Sequence, residues 1–178
     1  MFVQIPNLLT SEELNTLGQT LATAKFEDGK LTAGWHAKLV KHNQQMASED
    51  GEVSPRRMII KALQRNPLFQ AVARPRQIHS VLLSRYRSGM TYGRHVDNAL
   101  MGGSSFFRSD ISFTVFLNAP SCYEGGQLVL EGADSETPYK LEAGSCIVYP
   151  STVLHRVDPV TEGYYVHTNH VVLGCCQE

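Results

Sequence analysis

Between residues 10 and 73 the apolar positions recur at helical spacing. Thr10 and Glu13 stand at capping-box spacing, with Ser11 as an alternative cap, and Leu14, Leu17 and Leu21 then share one helical face. Ser54-Pro55 reads as an N-cap followed by proline at the first helical position, and Met58, Ile59, Ala62 and Leu63 mark the inward face of a second helix that ends near Asn66-Pro67. A short helical piece from Leu68 to Ala73 follows. Residues 34–50, including HNQQ at 42–45, are polar and mixed, and the pattern assigns them no element. From Gln77 the texture changes. IHSVLLSRY, DISFTVFLN, GQLVLEG, PYKLE, SCIVYP, HRVDPV and YYVHTNHVVL are short, β-branched or aromatic, and are separated by Gly, Pro, Asn or Ser. Helices first and strands afterwards predict a single α+β domain over residues 1–178, helical at 1–76, with a β core of barrel or sandwich type at 77–178.

Composition agrees with that picture and narrows the function. A chain of 178 residues with 42% apolar content can close one core. The net charge of -1 gives no electrostatic reason to expect nucleic acid or an acidic membrane as partner. Arg56, Arg57, Lys61, Arg65, Arg74 and Arg76 cluster along the second helical region and read as a solvated face rather than an anion patch. No apolar run approaches the ~20 residues of a membrane span. The start, MFVQIPNLLTSEEL, has no basic n-region, long apolar stretch or cleavage site, so a cytoplasmic location is expected. Cys122, Cys146, Cys175 and Cys176 form no C-x-x-C pair and are expected to be free thiols.

The chemistry concentrates in RYRSGMTYGRHVDNA at 85–99. His95 and Asp97 lie two apart, and in an extended segment such residues project to one face. His155, in YPSTVLHRVDPV, lies several strands later, and in a barrel distant strands converge at one mouth. Two imidazoles and one carboxylate form the facial triad of non-haem iron oxygenases, which leaves positions open for oxygen and a second substrate. Zinc uses the same ligand set. His36, His42, His79, His167 and His170 have no ligand spacing and read as ordinary polar residues.

These residues sit in a series of strings that resembles the PKHD-type (prolyl/lysyl hydroxylase-like) Fe(II)- and 2-oxoglutarate-dependent dioxygenases. The strings are KHNQQ, SRYRSGMTYGRHVDNALMG, RSDISFTVFLN, YEGGQLVLEG, LEAGSCIVYPSTVLHRV and PVTEG, and the resemblance spans roughly residues 1–163 in family order. It implies a double-stranded β-helix (jelly-roll) core with flanking N-terminal helices, and iron held by His95, Asp97 and His155. It implies decarboxylation of 2-oxoglutarate to succinate, hydroxylation of a C–H bond with O₂, and support by ascorbate. Tyr86 matches a tyrosine that binds the distal carboxylate of 2-oxoglutarate in related prolyl hydroxylases. Tyr92 is read as lining the pocket or packing a turn, Asn98 as a turn residue, and Gly125-Gly126 as a tight turn or close approach.

One position departs from the pattern. The family carries Arg or Lys about ten residues after the second histidine, where it pairs with the distal carboxylate; here that residue is Tyr165, preceded by Tyr164. A phenol donates a hydrogen bond but brings no charge. Arg156 is expected to point to the opposite face, while His167 shares the face of Tyr165. After Gly163 the ending is unlike the family's last strand, either through divergence or through an altered ending. The substrate expectation stays open among peptidyl residues, free amino acids and small molecules. The alternative function is a metal-binding jelly roll that has lost or altered 2-oxoglutarate use and serves as a binding or regulatory module.

Overall fold

The computed structural model describes residues 2–35, 37–47, 54–79, 81–98, 100–101 and 107–173. Cys175, Cys176 and His36 lie outside the described residues, and Cys122 and Cys146 are free thiols.

The helices form where their caps place them. In α1 (Ser11–Thr23) the Thr10 hydroxyl accepts from the Glu13 amide at 3.2 Å and the Glu13 carboxylate accepts from the Thr10 amide at 2.9 Å, a complete capping box. Helix α2 (Ala37–Val40) is a single turn. Helix α3 (Pro55–Arg65) starts on Ser54, whose hydroxyl accepts from the Arg57 amide. Asn66 closes α3 and caps α4 (Pro67–Ala73), accepting from the Phe69 amide. Two members of the basic cluster are fastenings. Arg56 donates to the Val81 and Met46 carbonyls, tying α3 to the sheet, and Arg65 donates to the Leu8 carbonyl and to Glu13.

Fifteen strands lie among the described residues: β1 (Val3–Ile5), β2 (Phe26–Asp28), β3 (Lys41–His42), β4 (Gln44–Met46), β5 (Gln77–Ile78), β6 (Leu82–Arg87), β7 (Thr91–His95), β8 (Leu100–Met101), β9 (Phe107–Phe116), β10 (Tyr123–Gly125), β11 (Leu128–Glu131), β12 (Glu136–Tyr139), β13 (Cys146–Pro150), β14 (His155–Val157) and β15 (Val160–Leu173). The larger sheet runs β1-β13-β9-β15-β6-β4-β2 and the smaller β12-β11-β14-β7-β3. All pairings are antiparallel, and β6, β7, β9, β11, β13, β14 and β15 alternate between the sheets as the chain advances. This is the winding of a jelly roll with helices at its side, the fold class expected.

The division into a helical first part and a β second part needs correction. Strands β1 to β4 all fall within residues 1–76, and β1, β2 and β4 lie in the larger sheet while β3 lies in the smaller. They are two or three residues long, too short for alternation to register, and take their conformation from the edges they pair with. The stretch HNQQ is where the chain crosses between sheets.

Alternation along the larger sheet separates two interiors. Leu83, Phe113, Val115, Cys146, Val148 and Val166 face the helices, where Phe113 meets Phe69 edge-on at 5.8 Å. Tyr86, Phe116, Ile147, Tyr149 and Tyr165 face the space between the sheets with Leu128, Leu130 and Val157 of the smaller sheet. The second interior is mixed in character. Ser84, Ser112 and Thr114 belong to it, and the metal-ligand candidates open onto it.

Candidate metal centre

His95 ends β7 and His155 begins β14, and the two are direct register partners. Their ring centroids are 4.2 Å apart. A bulge places the first ring. Between the partners His155 and Val157, β7 advances from His95 to Tyr92, one residue more than β14. The extra residue turns Tyr92 and His95 to the same face, and their rings stack at 3.6 Å. Gly93 lies within the bulge, where a Cβ would come within 2.8 Å of the Val40 side chain.

Each imidazole is leashed in the same way. His95 Nδ1 lies 2.8 Å from the Gly93 carbonyl and His155 Nδ1 lies 2.9 Å from the Val153 carbonyl, in both cases two residues upstream. A carbonyl only accepts, so Nδ1 carries a proton in both rings, and in a neutral imidazole this leaves the lone pair on Nε2. Burial, the neighbouring His155 and Lys41 push the His95 imidazole down to about 3, although the Gly93 carbonyl acts against them, so it is neutral at physiological pH, as a metal ligand must be.

Asp97 lies past the end of β7, and two tethers hold it: its amide donates to the Ser151 carbonyl at 3.2 Å, and Ser112 Oγ donates to its Oδ2. Ser112 is joined to Ser151 Oγ at 2.9 Å, and Ser109 donates to the same oxygen at 3.0 Å. Donor atoms of His95, Asp97 and His155 all lie within 4.8 Å of one another, the one such group among the described residues. His155 is buried and the Asp97 side chain is 26% exposed, so one side of the set opens to solvent.

Deeper between the sheets lies an aromatic cluster. Tyr165 is fully buried, stacks on Tyr123 at 4.5 Å and lies 6.0 Å from Tyr86, while His167 lies 5.1 Å from Tyr86 and 4.7 Å from Tyr165. Asn43 Nδ2 donates to the Tyr86 hydroxyl at 2.7 Å. The hydroxyls of Tyr123 and Tyr165 and the side-chain oxygen of Asn43 have no hydrogen-bond partner among the described residues. Burial pushes all three phenols above their ordinary value, so they remain protonated donors. Strand β15 runs on through residue 173, pairing with β6 and β9, so the segment beyond Gly163 completes the larger sheet.

Sequence reading missed Ser112, Ser151, Lys41 and Asn43 at this site, while His167 does share the face of Tyr165, as expected. Lys41, Asn43 and Gln45 occupy alternate positions and are all buried, a K-x-N-x-Q pattern hidden inside KHNQQ. Outside the smaller sheet, Arg156 pairs with Asp158, Glu136 and Glu131, while Arg94 shares Glu131 and Glu136. Arg156 thus points away from the metal-ligand candidates, as expected. Gly125 and Gly126 take φ of 70° and 65°, and a Cβ on Gly125 would meet the Pro159 carbonyl at 2.1 Å, which is the close approach anticipated there.

A family profile for the 2OG-Fe(II) oxygenase superfamily matches residues 81–171. A PKHD-type hydroxylase of Picosynechococcus sp. (strain ATCC 27264 / PCC 7002 / PR-6) is 58% identical over 178 residues, covering 99% of this chain and 78% of that protein. One from Gloeothece citriformis (strain PCC 7424) is 55% identical, with coverage of 99% and 78%. The chain therefore belongs to the 2OG-Fe(II) oxygenase superfamily and, within it, to the PKHD-type hydroxylases. In fold it is similar to a prolyl-4-hydroxylase from Pseudomonas putida (TM-score 0.72, 18% identity, 98% of this chain and 93% of that one). It is also similar to a prolyl hydroxylase from Trichoplax adhaerens solved with a hypoxia inducible factor peptide (TM-score 0.69, 19% identity, 96% and 83%).

Proposed function

We propose that residues 1–178 act as one dioxygenase-like unit that binds Fe(II) through His95, Asp97 and His155 and hydroxylates a substrate with O₂ and 2-oxoglutarate. The observation that carries this reading is the pair of matched leashes on His95 and His155, which occupy Nδ1 of each ring and leave Nε2 as the ligand atom, beside an Asp97 carboxylate whose Oδ1 lies 3.9 Å from His155 Nε2. Two neutral imidazoles and one carboxylate suit Fe(II), and the exposed side of Asp97 leaves room for further ligands. When bound, iron would activate O₂, the oxidant, with 2-oxoglutarate giving up two electrons as it loses CO₂ to become succinate and the substrate C–H bond giving up the other two, and ascorbate would keep the metal reduced.

The chain's own residues do the rest. Ser112 fixes the Asp97 carboxylate, and the carbonyls of Gly93 and Val153 fix the ring orientations. The unpartnered hydroxyls of Tyr123 and Tyr165 and the oriented phenol of Tyr86 form a donor set suited to a carboxylate deep between the sheets. In this reading Tyr165, like Tyr86, is a co-substrate contact, by hydrogen bonding rather than by charge. Tyr92 shields one face of His95 from water. The substrate is assigned no further than a C–H bond in a peptidyl residue, a free amino acid or a small molecule, without nucleic acid or membrane as partner. The location assigned is the cytoplasm; no helix among the described residues is long and apolar enough to cross a membrane.

The test is succinate formation by the purified chain with Fe(II), O₂ and 2-oxoglutarate, with His155→Ala as control. Turnover in the parent chain and none in the variant is expected, even uncoupled from a substrate. Iron-loaded protein that makes no succinate at millimolar 2-oxoglutarate overturns the proposal.

A further inference from the structure

We infer that Lys41 supplies the positive charge that balances the bound co-substrate. The inference rests on the reading of this site as an iron- and 2-oxoglutarate-binding centre. A ferrous ion carries two positive charges, Asp97 one negative and 2-oxoglutarate two negative, while an imidazole that ligates a metal is neutral. The loaded centre is left with one excess negative charge inside a protein, which is costly unless a cation stands near. The phenols of Tyr86, Tyr123 and Tyr165 donate hydrogen bonds but carry no charge.

Among the described residues, Lys41 is the only lysine, arginine, aspartate or glutamate that is buried, and it is buried at this centre. Strand β3 pairs with β7, with Lys41 opposite Tyr92. The ammonium lies 5.2 Å from the Tyr92 ring centre, and that ring stacks on His95. It also donates to Thr32 Oγ1 at 3.3 Å. Burial pulls the ammonium down to about 8 while Asp97 and Asp28 support it, so it remains largely charged at neutral pH. His167, fully buried against the Tyr86 and Tyr165 rings, brings a charge only in its protonated form, whereas the ammonium of Lys41 is the cation at this centre.

This placement has a consequence of opposite sign for the two ligands. Metal alone commits the charge of Asp97 to the ion and leaves Lys41 facing a centre of net positive charge, so Lys41 opposes metal binding. The dianionic co-substrate reverses the balance, so Lys41 favours it. A lysine kept only for packing produces no such opposition.

The experiment uses Mn(II) as probe with the full chain, Lys41→Met, Lys41→Arg and Lys41→Gln, the last keeping a hydrogen bond toward Thr32 if the Met variant does not fold. Mn(II) is titrated into metal-free protein, then 2-oxoglutarate into the Mn(II)-loaded protein, by calorimetry. The expected result is unchanged or tighter Mn(II) binding by the neutral variants and 2-oxoglutarate binding weaker by about tenfold or more, with Lys41→Arg close to the parent. Binding of 2-oxoglutarate by a folded neutral variant within twofold of the parent overturns the inference alone. Absence of 2-oxoglutarate binding by the Mn(II)-loaded parent overturns this inference and the functional reading together.

Discussion

Replacing Ser112 by alanine isolates the positioning of Asp97. The hydroxyl donates to Asp97 Oδ2, and Ser112 touches none of the other ligand candidates through that group. A hydrogen bond to a charged acceptor contributes about 1.5–3 kcal/mol. The Asp97 side chain is 26% exposed, so water replaces part of the loss and the lower end applies. A loss of about 1.5 kcal/mol corresponds to roughly tenfold weaker metal binding. The fold should feel little, because Ser151 keeps its partner Ser109 at 3.0 Å and the Asp97 amide keeps the Ser151 carbonyl at 3.2 Å. The assay is anaerobic Fe(II) titration, or Mn(II) calorimetry, beside thermal unfolding of the metal-free protein. Metal affinity within twofold of the parent would refute the argument. So would a fall in melting temperature beyond about 8 °C with affinity lost in proportion, since the serine would then be holding the fold rather than the carboxylate.

Three further outcomes follow from the same geometry. Gly125→Ala places a Cβ 2.1 Å from the Pro159 carbonyl at a φ of 70°, and should cost about 3 kcal/mol or more, read as loss of soluble folded protein or a sharply lowered urea midpoint. Asn43→Ala strands the buried Tyr86 hydroxyl and should cost about 1–3 kcal/mol in urea unfolding; a neutral result would mean that water already serves that hydroxyl. For pH, the folded pKa of His95 lies below its unfolded value, so its neutral form favours the fold fully above pH 6.5, and that stability drains away as pH falls toward about 3. The metal-free protein should weaken across that window and His95→Gln should flatten the slope. Glu13, held at about 2 by Arg65, extends the decline from 4.5 downward.

Residues announce themselves in a sequence when a short-range rule governs them. Thr10, Ser54 and Asn66 begin helices by local hydrogen bonds; the first two are placed as caps by spacing alone, while Asn66 reads only as the end of the preceding helix. His95, Asp97 and His155 were legible as a set because metal chemistry restricts the residue types. The rest depends on long-range pairing. Strands β3 and β4 have no pattern of their own and exist because β7 and β6 offer edges. Ser112 and Ser151 are ordinary serines until β13 and β9 register them beside Asp97. The face shared by His95 and Tyr92 could not be foreseen either, since the bulge that produces it is visible only in the pairing.

The arginines that follow or precede the two histidines have a bearing on how the chain finds its pairing. Arg94 is next to His95, Arg156 is next to His155, and both grip Glu131 and Glu136 from outside. A slip of either strand by one position would drive a guanidinium into the aromatic interior and expel an imidazole into water. Mispairing is thus penalised at both surfaces of the sheet at once, and the correct alignment of the two histidines is selected as much by their charged neighbours as by any ion they later hold.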